Sequence, residues 1–172
     1  MVFASPIGDG HIPFIALADI GWWVRYTLDH REATSGKELK VASEMVTWDL
    51  LAETFSKVTG IPSVHKRLTL DEWFNCISGT ERPVANEKKE GDGTMTIRQS
   101  FSGFFSMWRD DVVTRDMKWV KSVYPKGHTL ESWIRWYKYE GKIGSADGRV
   151  VLKNAEDGKA RIIPNREVCA LL

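Results

Sequence analysis

Apolar residues return at three- and four-residue intervals along much of this chain, and the first such run is Ile20, Trp23, Val24 and Leu28. That period predicts an amphipathic helix over residues 20–30, with Asp19 as its N-cap and Trp22 and Tyr26 widening the apolar face. The segment from Pro13 reads as a strand-to-helix entry into it. Past Gly36 the period drops to two: Leu39 and Val41 alternate with Glu38 and Lys40, which predicts a short strand. Thr47 then caps a helix with Asp49 in its first turn, Leu51, Phe55 and Val58 on its inner stripe, and Gly60 at its end. Ser63 to Leu68 suits a second short strand. Thr69 with Glu72 forms a capping box, opening a helix that is expected to bury Trp73 and Ile77.

From residue 78 to about 95 the text becomes rich in Gly, Glu and Lys, with almost no large apolar group, and predicts a flexible loop, either a lid over a pocket or a solvated connection. Helical periodicity resumes with Phe101, Phe104, Phe105 and Trp108 at i, i+3, i+4 and i+7. Thr114 is placed to cap a helix with Met117, Val120 and Trp119 inside, stopped near Pro125; Thr129 with Glu131 starts another, carrying Leu130, Trp133, Ile134 and Tyr137 and ending near Gly141. Farther on, Val150 to Leu152 and Arg161 to Ile163 flank an Asp157-Gly158 step that favours a hairpin. The pattern as a whole is one α-rich domain over 1–172 with a few short strands, too few for an open parallel sheet unaided.

Composition narrows the function classes. Twenty-four Lys and Arg nearly balance 23 Asp and Glu, so no broad basic field is offered to nucleic acid or to an anionic membrane, and neither is expected as a partner. Cys76 and Cys169 lack any metal-ligand or Cys-x-x-Cys spacing, and read as two small buried hydrophobes in a reducing compartment. No secretory signal pattern opens the chain and no run reaches membrane-spanning length, so a soluble protein of the cytoplasm or nucleus is expected. The eight tryptophans imply either a bulky core or an aromatic-lined pocket.

A dinucleotide turn needs Gly-x-Gly-x-x-Gly between a strand and a helix, so that backbone N–H groups reach the pyrophosphate. Gly8-Asp-Gly10 and Gly91-Asp-Gly93 both lack the third glycine and read as turns. The Walker loop, His-Glu-x-x-His, Gly-x-Ser-x-Gly and the Tyr-x-x-x-Lys dyad are absent from the sequence. Four histidines remain as candidate bases: His11, His30, His65 and His128. His30 suits a helix C-terminus and His65 alternates with basic residues in a strand, so surface or structural roles are expected for these and for His128. His11, beside Asp9, is the candidate catalytic residue. Phe101, Phe105 and Trp108 are candidates for lining a substrate pocket, although the same spacing describes a core stripe. No metal site is proposed.

Gly8-Asp-Gly10, Pro13 and Asp19-Ile-Gly21 together resemble the "G-D-G-x-x-P … D-I-G" passage of NmrA-like proteins, an atypical branch of the short-chain dehydrogenase superfamily. The similarity continues in order through Gly36 to Ala42, Thr47 to Leu50, Val58 to Gly60, Leu70 to Trp73, Trp108 to Asp110 and Ser132 to Ile134. It covers nearly the whole chain, with fungal members closest in flavour. The resemblance implies an α/β lineage with a Rossmann-type first half that binds NADP(H), followed by a smaller C-terminal part capping the substrate crevice. The matched passages belong to that second part. The sequence is therefore expected to be a C-terminal, substrate-side portion without the nucleotide-binding half, either a shortened product or a truncated gene reading, with no tightly bound cofactor of its own.

On that reading the strand at Leu39 to Val41 would be an unpaired sheet edge, and helices that cover the sheet in full-length relatives would show an apolar face. A lone monomer is expected to be marginal, sticky or dimeric. Three functions follow: an oxidoreductase-lineage fragment with no complete active site, a non-enzymatic redox or transcriptional regulator acting by protein contact through that face, or a cofactor-free isomerase or cyclase using His11 with Asp9 or Asp19.

Overall fold

The computed structural model describes residues 1–85, 87–141 and 163–172; the predicted hairpin around Asp157-Gly158 falls outside them. Among the described residues the chain is a mixed α/β fold of eight helices and three two-stranded sheets. Strand β1 (Val2–Ser5) runs parallel to β4 (Val64–Arg67), pairing Phe3 with His65. Strand β2 (Ile12–Phe14) runs antiparallel to β3 (Glu44–Val46), pairing Ile12 with Val46 and Phe14 with Glu44. The third pair joins β5 (Ile77–Ser78) to β6 (Ile163–Pro164).

The strand expected at Leu39 to Val41 does not form; residues 37–42 are irregular, and the segment pairs only from Glu44 onward. Alternation of side chains is necessary for a half-buried strand, but the partner decides where pairing occurs, and β2 meets the chain at Glu44 to Val46.

Helix α1 (Leu17–Asp29) starts earlier than its period suggested. Its N-cap is Ala16, with no side-chain cap, and Asp19 lies in the first turn. The inward face also differs. Of the predicted inner stripe Trp23 is buried, whereas Ile20, Val24 and Leu28 are exposed in line with Leu17 and form an outer face. Trp22, Trp23 and Tyr26 instead face helix α6 (Met117–Val123) and the residue after it: Trp22 stacks on Tyr124 with centroids 4.0 Å apart, and Trp23 meets Trp119 at 5.6 Å. Large flat side chains on that side bury more area than the aliphatic stripe can, so they set the orientation. A single turn, α2 (Arg31–Thr34), follows α1.

Helix α3 (Trp48–Thr59) is capped as its sequence predicts, with Thr47 Oγ1 accepting from the Leu50 N–H at 3.0 Å and Gly60 left-handed at φ 75°. Phe55 is fully buried and, with Val46, Leu51, Leu130 and Ile134, forms the main core between α3 and α7 (Leu130–Tyr137). Thr129 caps α7, but that helix ends at Lys138 (φ 49°), three residues before Gly141.

The capping box of Thr69 and Glu72 opens α4 (Leu70–Asn75), and its backbone and hydroxyl hydrogen bonds hold the Glu72 carboxyl below the usual carboxylate range. Phe74 is the buried residue of this helix; Trp73 is half-buried, and Ile77 has already left for β5.

Helix α5 (Ile97–Arg109) begins at a second capping box, Thr96 with Gln99, and brings Phe105 and Trp108 onto Ile7 in a smaller core cluster. Phe104 is exposed. Asp116, not Thr114, caps α6, its carboxylate accepting from the Trp119 N–H at 2.9 Å. The final turn, α8 (Arg166–Cys169), sets half-buried Cys169 beside buried Cys76, whose thiol is pushed up by burial and by its neighbour. No described helix is long and apolar enough to cross a membrane.

Removing the Phe55 ring is expected to cost about 3–5 kcal/mol, and removing the Thr47 cap about 1 kcal/mol. Urea unfolding of Phe55→Ala and Thr47→Ala, followed by circular dichroism, checks both values and their order.

Candidate functional site

Asp19 is the buried ionisable side chain around which a site is built, with 1% of its surface exposed. Its placement in the first turn of α1 aims the carboxylate inward, toward two segments distant in sequence. Ser43 Oγ donates to Oδ2 at 2.5 Å while accepting from the Ala16 N–H at 3.0 Å. The backbone N–H of His128 donates to Oδ2 at 3.0 Å, and His128 Nδ1 lies 2.8 Å from Oδ1. Burial of an unpaired carboxylate would cost several kcal/mol, so these three donors are what permit it.

The same residues border a cavity of about 290 Å³ between α1, α6 and the start of α7. Trp23, Val120, Tyr124 and Pro125 give it an apolar wall; Ser43, His128, Thr129 and Lys121 add polar groups. The Tyr124 phenol is pushed up by burial and by the nearby Asp19 charge, so it stays protonated across the physiological range.

The candidate base His11 sits elsewhere. Its ring Nδ1 lies 3.0 Å from Asp111 Oδ2, and its backbone N–H donates to Asp111 Oδ1 at 2.9 Å. Both side chains are 42% exposed. Neither Asp9 nor Asp19 is its partner: Asp9 accepts from Arg67 Nη2 at 2.6 Å, and Asp19 is taken by Ser43 and His128. The pairing on which the His11 proton-transfer reading depended is therefore not formed.

Phe101, Phe105 and Trp108 pack with Ile7 and Trp73 in the second core cluster, and none of the three borders the Asp19 cavity. Trp108 keeps one unusual feature, a buried indole N–H with no acceptor among the described residues.

His65 joins a relay that resembles a hydrolase triad in wiring. Its Nε2 lies 3.3 Å from Ser5 Oγ and its Nδ1 3.3 Å from Asp49 Oδ1. Ser5 is buried and the His65 side chain wholly so, which leaves no approach for a substrate carbonyl; the trio ties β1, β4 and α3 together. His30 stacks on Tyr26 and bonds the Tyr26 carbonyl at the end of α1, the surface role its position suggested.

His128, one of the four candidate bases and expected in a structural or surface role, is the histidine that borders the cavity. One local signal existed: it immediately precedes the Thr129 cap, where a side chain is held close to a helix start. Its partner lies 109 residues away.

A Cβ built on Gly10 would stand 2.2 Å from the Trp108 carbonyl oxygen, so the end of α5 packs directly against this turn. Gly91 and Gly93 are left-handed turn residues with open space around them. Among the described residues no group of three or more His, Cys, Asp or Glu is placed to hold a metal ion.

No family profile matches the chain, and no curated protein matches it. Among solved structures it is similar to a nucleoside-diphosphate-sugar epimerase from Staphylococcus aureus, at 20% identity and a TM-score of 0.54. The match covers 78% of this chain and 43% of that one, so the chain spans less than half of the epimerase's length. At this identity the likeness is one of fold.

Asp19→Ala removes the acceptor of three buried donors and is expected to cost about 3–5 kcal/mol, whereas Ser43→Ala, which removes one, is expected to cost about 1–3 kcal/mol. Thermal unfolding of the two variants checks the order; equal losses would mean that Asp19 is not the hub.

Proposed function

We propose that this chain is the substrate-side portion of an NmrA-like protein of the dehydrogenase and reductase lineage, with its substrate pocket at Asp19 and His128 and no complete NADP(H) site of its own. The observation that carries the reading is the cavity itself: the buried Asp19 carboxylate and the half-buried His128 ring set against an aromatic wall. The close contact of α5 with Gly10 supports the second part, because the turn nearest in sequence to a phosphate-binding pattern is used for packing. The shared fold with part of an epimerase, over less than half of that protein, agrees with a fragment whose lineage handles substrates at a crevice that two portions complete.

Titration of the purified chain with NADPH in a calorimeter is expected to give no binding in the micromolar range. Micromolar affinity would overturn the claim that the cofactor site is incomplete.

One observation favours a second reading, a regulator or dimer acting by protein contact. Leu17, Ile20, Val24 and Leu28 lie along one exposed face of α1, a larger apolar strip than an isolated surface residue makes. Sedimentation velocity is expected to show self-association that Val24→Glu with Leu28→Glu abolishes; a monomer at all concentrations, unchanged by the substitutions, would remove the dimer form of this reading.

A further inference from the structure

We infer that the Asp19 cavity is a proton-transfer site, in which His128 Nε2 takes a proton from a flat, conjugated small molecule bearing an acidic C–H. The inference rests on reading this cavity as a substrate pocket, and it adds the chemistry. An ionised carboxylate only accepts hydrogen bonds, and the Asp19 oxygens face three donors. Neutral His128 must therefore carry its ring proton at Nδ1, toward Asp19 Oδ1 at 2.8 Å, which leaves the lone pair on Nε2. The backbone N–H of the same residue is tied to Oδ2, which fixes the His128 main chain beside the carboxylate, and a swing of the ring would cost the Nδ1 hydrogen bond.

Among the described residues no hydrogen bond engages Nε2, and the His128 side chain keeps 21% of its surface exposed while bordering the cavity. A base that is oriented, desolvated on one side and open on the other is what proton abstraction requires.

The arrangement also says where the proton comes from. In a nucleophile relay a serine hydroxyl sits on the outer nitrogen of the imidazole; here Ser43 sits on the carboxylate instead, and among the described residues no protein hydroxyl is bonded to Nε2. On this inference the proton comes from the bound molecule. Trp23 and Tyr124 border the cavity with aromatic surface, and the Trp22 ring stacks on Tyr124 at 4.0 Å and 8°, which holds the wall in place. Lys121 borders the same cavity and supplies positive charge for the anion left after proton removal. The charged and titratable groups facing His128 are thus Asp19 from α1, Lys121 from α6, Tyr124 just beyond it, and Tyr137 from α7, whose ring centre lies 6.5 Å away.

Nitrobenzisoxazole is the probe, because its ring opens when a base removes one carbon-bound proton. The C–H electron pair becomes the third bond of a nitrile, the N–O bond breaks, and a coloured cyanonitrophenolate leaves; the imidazolium then returns its proton to water. No oxidant, reductant or cofactor enters. Phenolate release is expected to run about 100-fold faster with the protein than with the same concentration of free imidazole. His128→Gln is expected to fall to the buffer rate, and His30→Gln to keep the full rate. Asp19→Asn keeps a hydrogen-bond acceptor but removes the anion that orients the imidazole, so kcat is expected to fall while KM for the probe is unchanged, a split that a purely structural role would not produce. A rate no greater than that of imidazole, or one that survives in a folded His128→Gln chain, overturns the inference. Probe binding is read separately by quenching of Trp fluorescence. Quenching without turnover removes the proton-transfer step and leaves the pocket standing; neither quenching nor turnover overturns the pocket reading as well.

Discussion

The Asp19 carboxylate ties together three parts of the chain that lie far apart in sequence. One oxygen, Oδ2, receives the hydroxyl that closes the segment before β3 and the backbone N–H that precedes α7; the other receives the His128 ring. Ser43 passes the linkage back to the Ala16 N–H at the start of α1, and the next residue, Glu44, accepts from the Leu130 N–H at 2.7 Å at the first turn of α7. Helix α7 then lies on α3 and completes the main core around Phe55. A buried anion is costly in itself, and it is held here because every donor around it would also be costly if left unpaired.

The aromatic residues divide into groups with different work. Phe3, Trp48, Phe55 and Tyr139 meet at tilted and edge-on angles within the main core, where interdigitation matters more than any single stack. Where α4 meets α5, Trp73 stacks on Phe101 and meets Phe105 edge-on. The third group, Trp22, Trp23, Tyr26, Trp119 and Tyr124, joins α1 to α6 and also supplies the cavity wall. Tryptophan abundance thus reports both a bulky core and a lined pocket, in separate places.

What could be read from the sequence followed the range of the forces involved. The caps at Thr47, Thr69 and Thr129 depend on hydrogen bonds within three residues, and each appears where its local pattern placed it. The mixed α/β character with short strands was legible for the same reason. Local pattern offers an aspartate at a helix start only a cap or a first-turn place, whereas the partners of Asp19 lie 24 and 109 residues away. His11 was likewise matched to its neighbour Asp9, whereas its partner Asp111 is 100 residues distant. The outward turn of Ile20, Val24 and Leu28 could not be foreseen from period alone, since a moment gives a face and not the identity of what that face meets.

The long separation between Asp19 and His128 also orders events as the chain is made. At roughly 5–20 residues per second, the 109 residues between them take on the order of 5–20 s to emerge from a ribosome. Until then the carboxylate is solvated and Ser43 is the nearest donor it can find, while β1 waits through a shorter interval for β4. The pocket is therefore a late product of biosynthesis: chains arrested before Gly127 contain α1, α3 and most of the aromatic wall, yet still lack both His128 donors to the carboxylate around which the site will close.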